Sequence, residues 1–291
     1  MLDAIKKTDV LLEAMEWIRR FRGLTTVIKL GGSVMKDADA LKSILQDIMF
    51  METVGMRPVV VHGGGAAISA AMDKAGIEPN FVQGRRFTDE ASLSIVEDVL
   101  VNQINENLAS QMIELGGQGA AVSFNTRNIL RGGPLKLVDA GGATIDLGYV
   151  GEVTDVNTNH LRQICNGGVV PFIPSMCIGE GGQKYNVNAD TAATAVAVSL
   201  RADKLVFLSD VNGVRLDKDD ADSLIHSLNK SKAQEMMEQG QIAAGMIPKI
   251  ESCFETLEAG VGKVHIIDGR VRHSLLLEIY TDSGIGTEIE L

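Results

Sequence analysis

The sequence predicts an α/β protein, a three-layer α/β/α sandwich around a mainly parallel central sheet. Three observations predict it. Two strand, glycine-turn, helix units follow one another, TTVIKL-GGS and RPVVVH-GGG, each leading into an amphipathic run. Further apolar strands, VVPFIP, KLVFLSD and KVHIID, alternate with helical text. With 45% hydrophobic residues over 291 positions, the chain can bury a core of that size.

The elements follow in order. Leu11, Ala14, Met15, Ile18 and Phe21 recur at helical spacing ahead of Gly23, so a helix precedes the first strand. That apolar stripe must pack on its own domain or on another subunit. After TTVIKL and GGS, Leu41, Ile44, Leu45 and Ile48 mark one helix face; after RPVVVH and GGG comes the alanine-rich AAISAAMDKAG. A long helical stretch spans residues 89–115, with Thr88 as a cap and acidic Asp89 and Glu90 at its positive end. AAVSF is a strand, and the glycine-rich text over 128–153 reads as loops and hairpins. Beyond VVPFIP, ADTAATAVAVSL is helical and KLVFLSD a buried strand. Helices over SKAQEMMEQG and after Met246, then strands KVHIID and GTEIEL, complete the chain. The expected division is an N-terminal helix over 1–23 and one domain over 24–291, separable near Asn186 into 24–185 and 186–291.

Composition narrows the function. A net charge of −11 disfavours nucleic-acid binding, so any anion site must gather its cations locally. Cys165, Cys177 and Cys253 form no CxxC pair, which argues against disulfides and structural zinc and fits a reducing cytoplasm. No apolar run is long enough to span a membrane, and the first residues carry Asp3, Asp9 and Glu13, unlike a signal peptide.

The chemistry lies in the turns. Lys29 ends the strand that runs into Gly31 and Gly32, where α/β sheets place ligands and a bare backbone can approach a phosphate. His62-Gly63-Gly64-Gly65 joins a buried strand to a helix start and offers unobstructed amides at its positive end. His-Gly-Gly-Gly also occurs in esterase oxyanion holes, but no serine sits in G-x-S-x-G. Walker A and G-x-G-x-x-G are absent too. Arg85 and Arg86 in GRRFT can grip a carboxylate with a guanidinium fork. Asn186, Asn188 and Asp190 alternate before a helix, and Lys249 follows Pro248 at a helix entry.

In their order, V-I-K-L-G-G, H-G-G-G, G-R-R-F-T, N-V-N-A-D, L-S-D-V-N-G-V and G-M-I-P-K resemble the amino acid kinase family, and within it the acetylglutamate kinase group. The resemblance runs from about Thr25 to the C-terminus. It implies that ATP, carrying Mg²⁺, donates its γ-phosphoryl group to the side-chain carboxylate of N-acetyl-L-glutamate on the arginine pathway. It also implies an acceptor-binding and dimerising lobe over 24–185 and an ATP-binding lobe over 186–291. Lys29 and Lys249 are then catalytic, with Asp190 orienting both ammonium groups. Gly64, Gly65, Arg86 and Asn186 bind the acceptor, while Gly31, Gly32, Ser209 and Asp210 face the nucleotide. No protein ligand is implied for the metal.

The first helix and RHSLLLEIYTDSGIGTEI resemble the arginine-inhibited branch, in which such helices interlace three dimers into a hexamer. Glu278 and Gly284 match effector-contacting positions, and Trp17 stands where a tyrosine is usual. An aminoadipate-type acceptor and a catalytically silent arginine sensor are the competing expectations.

Overall fold

The computed structural model describes residues 2–139, 141–217, 220–242, 246–281 and 284–291. Gly245 of G-M-I-P-K and Asp282 and Ser283 of the C-terminal segment lie outside the described residues.

The main sheet has eight strands. In spatial order they are Ser227–Asn229, Thr287–Glu290, Lys263–Asp268, Lys204–Ser209, Thr25–Leu30, Arg57–His62, Val170–Pro174 and Gly119–Ala121. All neighbours run parallel except Lys263–Asp268 with Thr287–Glu290. Buried on both faces, these strands read as continuous apolar runs, which is why VVVH and KLVFLS lack alternation.

Successive residues nonetheless serve opposite layers. Val27, Val59, Val61, Leu205 and Phe207 pack with the helices Thr158–Asn166, Ala189–Leu200 and Ile247–Glu258. Ile28, Val60, Val206 and Leu208 pack with Ala38–Thr53, Glu106–Glu114 and Ser274–Ile279. This is the three-layer sandwich that the periodicity predicts.

Strand order positions the site. Thr25–Leu30 lies at the centre, with Arg57–His62 from the first half on one side and Lys204–Ser209 from the second half on the other. The order reverses there, and the carboxyl ends at such a point splay connections apart and leave a crevice. The glycine-rich text contributes Leu130–Pro134 and the start of Gly151–Val156 to a separate four-stranded sheet beside that crevice, which Met176–Ile178 and Lys184–Asn186, not expected as strands, complete. No helix among the described residues is long and apolar enough to cross a membrane.

Two local expectations need correction. Asp89, not Thr88, caps the helix Glu90–Glu97: its carboxylate accepts from Ser92 N at 2.8 Å. The Thr88 hydroxyl instead donates to the Arg86 carbonyl at 2.9 Å. The long helix is also not uniform, since Asp98–Asn105 widens into π-helix before Glu106–Glu114 resumes the α-form. The first helix, Leu2–Phe21, packs into the domain core at its end, through Trp17 and buried Phe21. Val10, Leu11, Leu12 and Met15 remain exposed.

Candidate active site

Lys29 reaches the crevice from the carboxyl end of the central strand, and its ammonium lies 2.8 Å from Asp190 Oδ1. Asp190 stands in the first turn of Ala189–Leu200, which the Asn188 side chain caps by accepting from Asp190 N and Thr191 N at 2.9 and 3.1 Å. The strand that carries Lys29 can turn past its neighbour only as glycine: a Cβ at Gly31 would sit 2.7 Å from the Leu208 carbonyl oxygen.

Beside this ion pair opens a cavity of about 230 Å³, lined among others by Lys29, Gly32, Gly64, Gly65, Arg86 and Asn186. Arg86 is buried in the two-residue strand Arg85–Arg86, antiparallel to Phe81–Val82. Its Nη2 donates to the Gly65 carbonyl at 3.0 Å and to Ser69 Oγ at 2.8 Å, and the Phe81 ring centroid lies 4.8 Å from its guanidinium carbon. Burial lowers the Arg86 pKa and Asp73 partly opposes this, yet a guanidinium is so strong a base that it keeps its charge. Asn186 Nδ2 donates to Thr88 Oγ1 at 3.1 Å, so the helix-start threonine orients the asparagine. Sequence reasoning thus named residues that the fold brings together from four separated segments.

A second cavity, about 370 Å³, lies across the carboxyl ends of Lys204–Ser209 and Lys263–Asp268, lined among others by Asp210, Asn212, Arg215, Met246 and Arg270. Ser209 Oγ donates to Asp210 Oδ1 at 3.4 Å. Gly32 opens on the first cavity rather than this one. Arg270 clamps the two strand ends, with Nη2 2.7 Å from both the Asp210 carbonyl and Asp268 Oδ2. Burial pushes the Asp268 carboxyl up, but the Arg270 hydrogen bonds and charge outweigh it and hold the group below its usual range.

Lys249 enters from the first turn of Ile247–Glu258, its ammonium 5.5 Å from the Phe207 ring centroid. Among the described residues the ion pair of Asp190 is with Lys29, not with Lys249. Both Lys249 and Asp190 act electrostatically on Cys253, which burial pushes up to about 12, so the two charges approach one region.

Glu278 lies elsewhere, at a third cavity of about 520 Å³ between the first helix and the last elements, lined also by Trp17, Arg20, Lys204, His265 and Glu288; Gly284 does not line it. Glu278 Oε1 is 2.7 Å from His265 Nδ1, and its Oε2 accepts from Ile285 N and Gly286 N at 2.7 and 2.9 Å. Burial raises the Glu278 pKa, but the His265 hydrogen bond and charge, helped by those amides, hold it below the usual range. Gly284, at φ +60°, packs on the Glu278 carboxylate, where a Cβ would lie 2.7 Å from Oε2.

Sequence reasoning missed Phe81 and Ser175 in the first cavity, Arg215 and Arg270 in the second, and His265 in the third. Ser175 and Arg270 stand just beyond strand ends, the one signal that could have found them, whereas His265 lies inside Lys263–Asp268 and Arg215 six positions past Ser209.

Comparison with known proteins gives one consistent answer. The sequence model of the amino acid kinase family matches residues 24–268. Acetylglutamate kinase from Thermoanaerobacter sp. (strain X514) is 45% identical over 287 residues, covering 99% of this chain and 94% of that protein. Acetylglutamate kinase from Symbiobacterium thermophilum is also 45% identical, covering 98% of each. Among solved structures, N-acetylglutamate synthase from Neisseria gonorrhoeae, complexed with coenzyme A and L-arginine, superposes with a TM-score of 0.78 at 29% identity. It covers 95% of this chain, which spans 63% of the synthase's length. On this match, running through every strand end described above, the chain belongs to the amino acid kinase family and, within it, to the acetylglutamate kinases.

Proposed function

We propose that the chain transfers the γ-phosphoryl group of ATP to the side-chain carboxylate of N-acetyl-L-glutamate, giving N-acetyl-L-glutamyl 5-phosphate. One observation carries this reading: the Lys29–Asp190 pair stands beside the cavity that holds Arg86 and the bare Gly64 and Gly65 backbone, next to the strand that leads to the second cavity. The first cavity takes the acceptor, with Arg86 on its α-carboxylate and Asn186 on its acetamido group. The second takes ATP, near Ser209 and Asp210, with Gly31 and Gly32 between the two.

A carboxylate is already ionised at neutral pH, so no general base is needed. Its oxygen bonds to the γ-phosphorus as the bond to the β–γ bridging oxygen breaks, and ADP leaves with that electron pair. The work of the protein is alignment and charge neutralisation. Lys29 and the Gly64 and Gly65 amides meet the phosphoryl group from the acceptor side, and Lys249 from the nucleotide side. Asp190 holds Lys29 in place. Mg²⁺ travels with ATP and neutralises its phosphates; it commonly keeps water and phosphate oxygens as ligands, and no protein ligand is assigned to it. Trapping the acyl phosphate as a hydroxamate, from ATP, Mg²⁺ and N-acetyl-L-glutamate, tests the reading; absence of ADP-coupled hydroxamate would overturn it.

L-Arginine inhibition of a hexameric trimer of dimers is the regulatory part of the proposal. The exposed stripe Leu11 and Met15 supports contact with a neighbouring dimer. Acidic Glu278 and Glu288 in the third cavity suit a guanidinium, and the similar synthase was solved with L-arginine. Trp17 offers a stacking face, though not a phenolic hydroxyl. Deleting residues 1–22 is expected to leave active dimers insensitive to arginine, because an effector acts only through its unequal affinity for two arrangements. Glu278→Gln, which keeps an oxygen for the Ile285 and Gly286 amides, is expected to raise the inhibitory arginine concentration at least tenfold, about 1.4 kcal/mol, with kcat unchanged. Sedimentation and arginine titration check both; a full-length dimer indifferent to arginine would contradict this part alone.

A further inference from the structure

His62 opens the His-Gly-Gly-Gly turn, yet it lines neither the first nor the second cavity and is fully buried. Its Nδ1 is 3.1 Å from the carbonyl oxygen of Gly63, and its Nε2 is 3.1 Å from Asn105 Oδ1, one of the two exchangeable ends of that side-chain amide. Asn105 is itself buried and closes the π-helical segment Asp98–Asn105. That segment lies against the glycine turn: a Cβ at Gly64 would come within 2.7 Å of both Ile104 Cδ1 and Leu100 Cδ2. A widened helical turn of this kind recurs where side chains must be re-aimed.

The ring has one proton to give. Burial lowers the His62 pKa to about 4, and no charged side chain is among the causes. The charged residues that line the cavity with the turn are Lys29, which is paired with Asp190, and Arg85 and Arg86. A neutral imidazole can donate from one nitrogen only, and the Gly63 carbonyl can only accept. The proton therefore sits on Nδ1, facing Gly63, and the Asn105 amide must turn its NH₂ toward the bare Nε2; which way an amide points is an assignment of the network.

In a trans peptide the carbonyl and the following N–H point in opposite directions. Holding the Gly63 carbonyl toward the buried ring therefore aims the Gly64 N–H the other way, into the cavity with Lys29. Hydrogen bonding at the carbonyl also polarises the same peptide and strengthens its N–H as a donor.

We propose that His62 and Asn105 are positioning residues, a buried relay from the π-helical turn that fixes the Gly63–Gly64 peptide so that its amide meets the transferring phosphoryl group. The proposal rests on the phosphotransfer reading above for its effect on rate, but not for the protonation pattern.

The pattern is tested first, by ¹⁵N NMR of the histidine rings in the whole enzyme. His62 is expected to carry its proton on Nδ1 at neutral pH; a ring protonated on Nε2, or on both nitrogens, would overturn the proposal. The second test is the pH dependence of kcat in Asn105→Asp, with wild type as reference. At low pH the new pair holds enough protons for Nδ1–H to persist, and the turn stays aligned. As pH rises the pair loses one proton, the carboxylate draws the remaining ring proton to Nε2, and the Gly63 carbonyl loses its donor. The ratio of variant to wild-type kcat is expected to fall about tenfold between roughly pH 6 and pH 9, with acceptor KM changed less. A ratio independent of pH would overturn the proposal. A wild-type enzyme that phosphorylates no acceptor would instead refute the phosphotransfer reading and leave the NMR result standing.

Discussion

Lys29→Ala is expected to cut kcat by about 10² to 10³, roughly 2 to 4 kcal/mol, while acceptor KM moves only a few-fold. The reason is placement: the ammonium sits at the end of a rigid central strand, 2.8 Å from the Asp190 carboxylate that fixes it, beside the amides of the glycine turn. Such a charge helps most when negative charge has spread over the phosphoryl oxygens in flight. Lys249→Ala is expected to lose a similar factor. Its ammonium lies over the Phe207 ring rather than in an ion pair with Asp190. Steady-state kinetics on both variants, with thermal melts to verify folding, read the effect; kcat unchanged in both would refute the catalytic assignment.

Arg86→Lys is expected to act on the other parameter. Nη2 is committed to the Gly65 carbonyl and Ser69, and Nη1 contacts Met72 Sδ at 3.3 Å, which locks the plane of the fork where Arg86 lines the cavity. A lysine keeps the charge but not the planar geometry, so the α-carboxylate loses a fixed charge-assisted contact worth about 2 kcal/mol, or roughly thirtyfold in acceptor KM. KM for ATP should hold. If the main loss fell on ATP, the acceptor would have been assigned to the wrong cavity.

How far the sequence speaks for itself differs by element. The strand, turn and helix units were legible because a buried parallel strand ending in glycine has few other readings, and the residues around those turns do meet across the crevice. Asp89 was misjudged as secondary to Thr88 because both are good caps, and the choice depends on Thr88 being drawn to the Arg86 carbonyl two positions back and to Asn186, a partner distant in sequence. The π-helical turn has no local signature: it follows from fitting Leu100 and Ile104 against a glycine nearly forty positions earlier. The Arg270 clamp and the His265–Glu278 pair were invisible for the same reason, being set by how separate elements pack, strand end on strand end and the helix Ser274–Ile279 on Lys263–Asp268.

The measurement that bears most directly on the function is an acceptor panel with ATP and Mg²⁺, comparing kcat/KM for N-acetyl-L-glutamate, L-glutamate, N-acetyl-L-aspartate and N-acetyl-L-2-aminoadipate. A site that binds the α-carboxylate through Arg86 and the acetamido group through Asn186 rejects an acceptor lacking the acetyl group, because buried polar atoms would be left unpaired. It also penalises a chain one methylene shorter or longer, by moving the nucleophile away from Lys29. Preference for N-acetyl-L-glutamate by at least tenfold over every other member is the expected result; equal or better phosphorylation of the aminoadipate or unacetylated compound would contradict it.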